Sequence, residues 1–239
     1  MPKTKPFHIA IPIYESVNLF DVTSACEMFY WMGQFWKERK VTLELVEARG
    51  RTVRTHAGPR LVADSSFKDY RGTEKNGRPK KQAQLIWVPG AKDETTQKMM
   101  GDADYINFLR EQAPGAEWVT SVCEGAMLLA NAGLLEGCTA TTHWSMIPCL
   151  RKMKGVTVAP GYPRFCVDEK RHRVTGGGVS SGVDESLRVI QLIAGNDIAE
   201  QVQVVVQYFP DPPVKGKIPD DNKCDIKIPP PPPVKNGKN

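Results

Sequence analysis

Three absences narrow the reading of this chain before any motif does. No apolar run approaches the roughly twenty residues that a membrane-spanning helix needs. The first apolar stretch, FHIAIPIY, is short, broken by Pro12 and followed by Glu15, so it reads as a strand and not as a secretion signal. No C-x-x-C pair occurs among Cys26, Cys123, Cys138, Cys149, Cys166 and Cys224, which disfavours a structural zinc site. Six cysteines in 239 residues are also too sparse for a disulfide scaffold. They are expected to be reduced thiols in a cytoplasmic protein.

Charge of one sign is nearly balanced once its location is considered. The net charge is +5, but residues 68–82 supply +4 and residues 210–239 supply +2. The excess sits in a polar loop (RGTEKNGRPKKQ, 71–82) and in a tail, not on a helix face. Solvated loops explain it better than a nucleic-acid footprint does.

The remaining sequence alternates short β-branched runs with amphipathic stretches. Strands are expected at 7–13, 41–47, 83–88, 117–122, 138–141 and 172–175. Helices are expected at 20–36, 94–113, 123–134, 143–153, 180–194 and 197–209. The β-then-α order predicts one α/β domain over residues 1–209, with a mainly parallel sheet covered on both faces. Its site should lie at the carboxyl ends of the strands. From Pro210 the composition changes to a Pro/Lys-rich tail, with five prolines at 229–233. This tail reads as a solvated appendage or as an extended arm over a partner subunit, with Ile218, Ile226, Ile228 and Val234 as anchors.

The segment EWVTSVCEGAML (117–128) carries the strongest chemical signal. A β run ends at Cys123, and Gly125 and helix-forming residues follow. A thiol there stands at a sharp strand-to-helix turn, where helix N–H groups favour the thiolate. The competing reading is a buried structural Cys. Asp21 opens the helix after the first strand. It either complements that helix dipole or emerges beside Cys123 as a general acid–base. His143, in ATTHW, either packs at a helix start or pairs with the thiol. Gly176, Gly177 and Gly178 fit a tight turn against the site; no P-loop or G-x-G-x-x-G pattern accompanies them.

Taken with LFDVTSACEMF, IWVPGA, VTSVCEGAMLLANAGLLEG, ATTHW, VTGGGVSSGVDESL and VQYFPDPP, these residues resemble the ThiJ/PfpI superfamily, over about residues 7–213. Within it they look like the isonitrile-hydratase branch. The resemblance implies a flavodoxin-like fold with a nucleophile elbow, a homodimer, and a cofactor-free and metal-free Cys lyase acting on a small molecule. Cys123 would be the nucleophile and Asp21 its acidic partner. Backbone groups at Gly90, Ala91 and Glu124 would stabilise developing charge. Regulators in the superfamily carry a DNA-binding extension that this chain has no room for, so neither nucleic acid nor membrane is an expected partner. Glu124 departs from the hydratase-like pattern, which has a small hydroxyl residue there. It would raise the thiol pKa, serve as a second proton-transfer group, or point away as a cap. A glyoxalase-like lyase using His143, and a non-enzymatic redox sensor at Cys123, are the alternatives.

Overall fold

The computed structural model describes residues 5–72, 80–219 and 223–234. In chain order the elements are β1 (Phe7–Pro12), α1 (Leu19–Phe35), β2 (Val41–Glu47), β3 (Val53–Arg54), β4 (Arg60–Leu61), β5 (Ser65–Ser66) and α2 (Phe67–Tyr70). Next come β6 (Leu85–Val88), α3 (Asp93–Met100), α4 (Ala103–Gln112), β7 (Trp118–Val122), α5 (Gly125–Asn131), β8 (Thr139–Ala140) and α6 (Ile147–Leu150). The last are β9 (Thr157–Val158), β10 (Phe165–Asp168), β11 (Arg173–Gly176), α7 (Ser181–Ala194) and α8 (Asn196–Val205).

The main sheet runs β10-β11-β7-β6-β1-β2-β5. All its pairings are parallel except β10 with β11. β1 and β6, at its centre, are buried along their whole length. That is why they read as continuous apolar runs and not as alternating ones. Helices α1, α7 and α8 pack on one another, and α3, α4, α5 and α6 form a second group. The result is the expected flavodoxin-like layering.

Three sequence expectations need correction. The helix foreseen over 94–113 is two helices. Gly101 ends the first, and the Asp102 carboxylate caps the second by accepting from the Asp104 and Tyr105 amides. The strand at 138–141 shrinks to β8, which pairs with β9 in a small sheet of its own. The third concerns the thiols. Cys149 and Cys224 form a disulfide, so the six cysteines are not all reduced.

The tail also has a definite course. Residues 210–219 are exposed, whereas 223–234 return to the body of the same chain. Ile226 is buried and Ile228 packs against the core, while Ile218 and Val234 stay exposed. The basic loop expected at 71–82 lies mostly outside the described residues. At its borders Arg71 pairs with Asp104 and Glu111, and Lys81 pairs with Glu44.

Gly125 is where the elbow is tightest. A Cβ there would stand 2.1 Å from the Val88 carbonyl oxygen, closer than any side chain can be fitted. Gly125→Ala is therefore expected to cost ~3 kcal/mol or more of stability, because the clash is with β6 backbone. Urea unfolding of the two proteins checks this. Equal midpoints would mean that the turn yields.

Candidate active site

β7 delivers Cys123 to the carboxyl edge of the sheet and then turns abruptly. Cys123 itself adopts a left-handed backbone with φ of 58°, a conformation uncommon for a residue with a side chain. Both of its backbone groups are fixed. Its N–H donates to the Gly176 carbonyl at 3.0 Å, and its carbonyl accepts from the Thr142 hydroxyl at 2.8 Å. Gly178, at φ of +72°, lies against the thiol. A Cβ there would meet Cys123 Sγ at 2.5 Å. Of the glycine run only Gly178 lies against the thiol; Gly177 lies against Pro163 and Arg164, and Gly176 against Glu185.

Asp21 reaches the same edge from α1. The Trp87 indole N–H donates to the Asp21 carbonyl at 2.9 Å and ties the start of α1 to β6. Asp21 Oδ2 accepts from the Gly90 amide at 2.9 Å, and Oδ1 has no hydrogen-bond partner among the described residues. The Gly90 N–H is therefore committed to Asp21, and the Glu124 N–H is turned toward the Cys123 thiol and its own carboxyl. The Tyr14 hydroxyl donates to the Pro89 carbonyl and steadies this loop.

Glu124 does not point away. Its carboxylate is buried on the same side of Gly90 as Cys123. Burial lifts its pKa from 4.5 to about 7. His143 stands behind it, with Nδ1 3.8 Å from Glu124 Oε1 and 2.8 Å from the Ser145 hydroxyl. Burial lowers the His143 pKa. His143 thus adjoins the carboxylate, and the pair is joined only when the imidazole is protonated.

Of the two opposed expectations for the thiol, the raised pKa expected from Glu124 prevails over the thiolate favoured by the helix dipole. Burial, then the Asp21 and Glu124 charges, push the Cys123 pKa well above its ordinary value. Magnitudes explain the outcome. A like charge at about 4 Å is worth ~4 kcal/mol at an effective dielectric of ~20. A helix N-terminus contributes at most ~2 kcal/mol. The resting group is a neutral thiol, only 2 % exposed.

Sequence reasoning missed a third carboxyl. Glu185, on α7, is fully buried, and neither of its side-chain oxygens has a hydrogen-bond partner among the described residues. It packs against Gly176, the residue whose carbonyl holds the Cys123 amide. Burial and the Asp21 charge raise its pKa strongly. The available signal was helical periodicity: Gly182, Glu185, Ser186, Val189 and Ile190 form the buried stripe of α7.

Comparison with known proteins places the chain in a family. A model of the DJ-1/PfpI family matches residues 10–191. The chain belongs to the DJ-1/PfpI family. It is 37% identical over 136 residues to isonitrile hydratase from Pseudomonas putida, a match covering 57% of each chain. The chain thus aligns with little more than half of that relative's length. It is 30% identical over 107 residues to the HTH-type transcriptional regulator GbdR of Pseudomonas aeruginosa, covering 44% of this chain and 28% of the regulator. Among solved structures, a ThiJ/PfpI family protein from Pseudomonas syringae superposes with a TM-score of 0.75 at 28% identity, over 89% of this chain and 79% of that one.

The raised Glu124 pKa makes stability depend on pH with a definite sign. A carboxyl whose pKa rises on folding stabilises the fold fully below its unfolded value, near 4.5. That stability is lost as pH rises through the folded value, about 7. The loss is on the order of 3 kcal/mol. Glu124→Gln lacks this component. The stability difference between wild type and the variant should therefore shift against wild type by that amount between pH 4.5 and 8, measured by urea unfolding. Parallel stability curves would contradict the assignment.

Proposed function

We propose that the protein is a cofactor-free hydratase converting small isonitriles to N-substituted formamides. The observation that carries this reading is one neutral thiol flanked by two carboxyls of unlike character. Asp21 is strongly favoured in its protonated form by burial, whereas Glu124 titrates near neutrality. The first suits a general acid and the second a general base.

As Cys123 attacks the terminal isonitrile carbon, its proton passes to Glu124, and Asp21 protonates the same carbon. The product is a thioimidate on Cys123. Asp21, now a carboxylate, accepts a proton from the attacking water and passes it to the nitrogen. When the tetrahedral adduct collapses, the hydroxyl proton returns to Asp21 and the C–S bond breaks. Glu124 reprotonates the sulfur, and the formamide leaves. Every proton is restored, and one water is consumed. Covalent catalysis divides a hard hydration into two easier additions. The nearly closed thiol favours a thin, linear reacting group such as an isonitrile terminus. The Ala91 backbone amide is the group offered to developing charge.

A redox-sensing role fits less well, because it calls for an exposed, acidic thiol. A glyoxalase-like reaction would use the same thiol with His143. A ligand-sensing role would bind without turnover. The protein is further proposed to act as a homodimer, through the exposed apolar side chains Phe20, Tyr30, Val204 and Val205 on α1 and α8.

Turnover of cyclohexyl isocyanide and of methylglyoxal, followed by product analysis, separates these readings. Formamide release is expected, and Cys123→Ser should abolish it. Asp21→Asn should lower kcat/KM by at least ~10²-fold. Glu124→Gln should remove a rate step in the pH profile near 7. Binding with no product from either compound would sink the enzymatic reading.

A further inference from the structure

The Cys149–Cys224 disulfide joins two different parts of the chain. Cys149 sits in α6, inside the family-matched residues 10–191, and Cys224 lies beyond them in the proline-rich tail. We propose that this bond is a reducible lock, which holds the tail as a strap across α3–α6 and thereby restrains the Cys123 site.

Among the described residues the non-covalent hold on the strap runs through a few hydrogen bonds, two isoleucines and the buried Pro232. The Lys227 amide donates to Gln97 Oε1 at 2.8 Å, Arg110 donates to the Pro232 carbonyl at 2.7 Å, and Asn107 donates to the Pro233 carbonyl at 3.3 Å. Ile226 and Ile228 supply the apolar anchors. Around them Lys223, Asp225, Lys227, Pro230 and Pro231 are exposed, and Pro229, Pro230 and Pro231 form one wall of a cleft of about 580 Å³ whose other walls include Asn131 and Met153. The cross-link adds to this hold, because it makes docking intramolecular. Cutting the link restores the chain entropy that docking removes.

The strap bears on the two elements that carry the groups beside the thiol. Arg110 bridges it to α5, since its Nε donates to the Ala132 carbonyl at 3.1 Å, just past the end of that helix. The helix begins directly after Cys123 and Glu124. Cys149 belongs to α6, which follows the turn at His143. Release of the strap therefore removes one support from each of these helices at the end away from the thiol.

The exchange chemistry has one accessible entry. Cys149 is buried, whereas Cys224 is half-buried. A dithiol reductant attacks Cys224 Sγ as thiolate, the S–S bond breaks, and Cys149 leaves as thiolate and takes a proton. The second thiol of the reductant displaces Cys224 as a thiol. Two electrons pass to the protein, and the reductant becomes a disulfide.

This proposal rests on Cys123 being the reactive group. Its test reads that thiol directly, without turnover, so failure of the hydratase reading leaves it intact. The full chain, air-oxidised or treated with dithiothreitol, is followed by intact mass, near-UV circular dichroism, trypsin cleavage and iodoacetamide labelling of Cys123 by peptide mapping. Expected on reduction are a gain of two hydrogens and retained circular dichroism. Cleavage at Lys223 and Lys227 should be ~10-fold faster or more, and Cys123 labelling ~5-fold faster. The melting temperature should fall by roughly 5–10 °C. Cys224→Ser should behave without reductant as the reduced wild type does. Unchanged cleavage after reduction, or faster cleavage with unchanged Cys123 labelling, overturns the proposal. So does collapse of the whole fold, which would make the bond a structural staple. An oxidised protein lacking the bond, or a bond that resists excess dithiothreitol, overturns it equally.

Discussion

Cys123 occupies a left-handed backbone conformation that costs a side-chain-bearing residue about 1–3 kcal/mol, and its surroundings are arranged to hold it there. The amide is taken by Gly176 and the carbonyl by Thr142. Gly90, Gly125 and Gly178 approach so closely that none has room for a Cβ. These contacts come from β6, α5, β11 and the turn after β8, so the elbow exists only when the sheet has closed around it. The strain places the sulfur between α1 and the loop after β6, where Asp21 waits on its Gly90 hydrogen bond.

From that placement follows an electrostatic constraint. Asp21, Glu124 and Glu185 crowd one buried region with a thiol, and the low dielectric forbids all four from ionising together. Their titrations are thus coupled, so that ionising one member raises the cost of ionising the others. Burial is the largest cause for each of the four, and it outweighs the Gly90 hydrogen bond at Asp21. A site stocked with protons at neutral pH fits a reaction whose first step moves one proton to carbon while another leaves sulfur. An exposed thiolate would instead suit oxidation by solvent peroxides.

The sheet was readable in the sequence because its central strands are buried on both faces and separate cleanly from amphipathic helices. The meeting of Asp21 with Cys123 was readable for a related reason: both follow parallel strands, and parallel strands share one carboxyl edge. Short elements such as β5, β9 and β10 were not readable, since two to four residues carry too little period. Glu185 was hidden by its type, because a lone Glu in a helix is ordinarily a solvated face. The direction of the Cys123 pKa stays open in the sequence for want of a distance, since the helix dipole and Glu124 pull it opposite ways. The helix dipole is visible in a sequence, whereas a carboxylate buried beside the neighbouring sulfur is not.

The tail shows the same limit from another side. Its isoleucines were legible as anchors, but sequence alone cannot say which surface receives them or which cysteines pair. Of Ile218, Ile226, Ile228 and Val234, Ile226 and Ile228 dock, and they are the two that closely follow Cys224. The chain between Pro210 and Pro219 carries Ile218 in solvent. Anchoring therefore tracks distance from the cross-link more than apolar content. A covalent bond that brings one residue home lowers the entropy cost for its near neighbours and does little for those farther off. Polyproline stiffness then extends the effect to Pro232 and Pro233, since an extended segment fixed near one end has little freedom left to lose. The appended segment thus reaches the back of the family domain without altering a residue of the elbow itself.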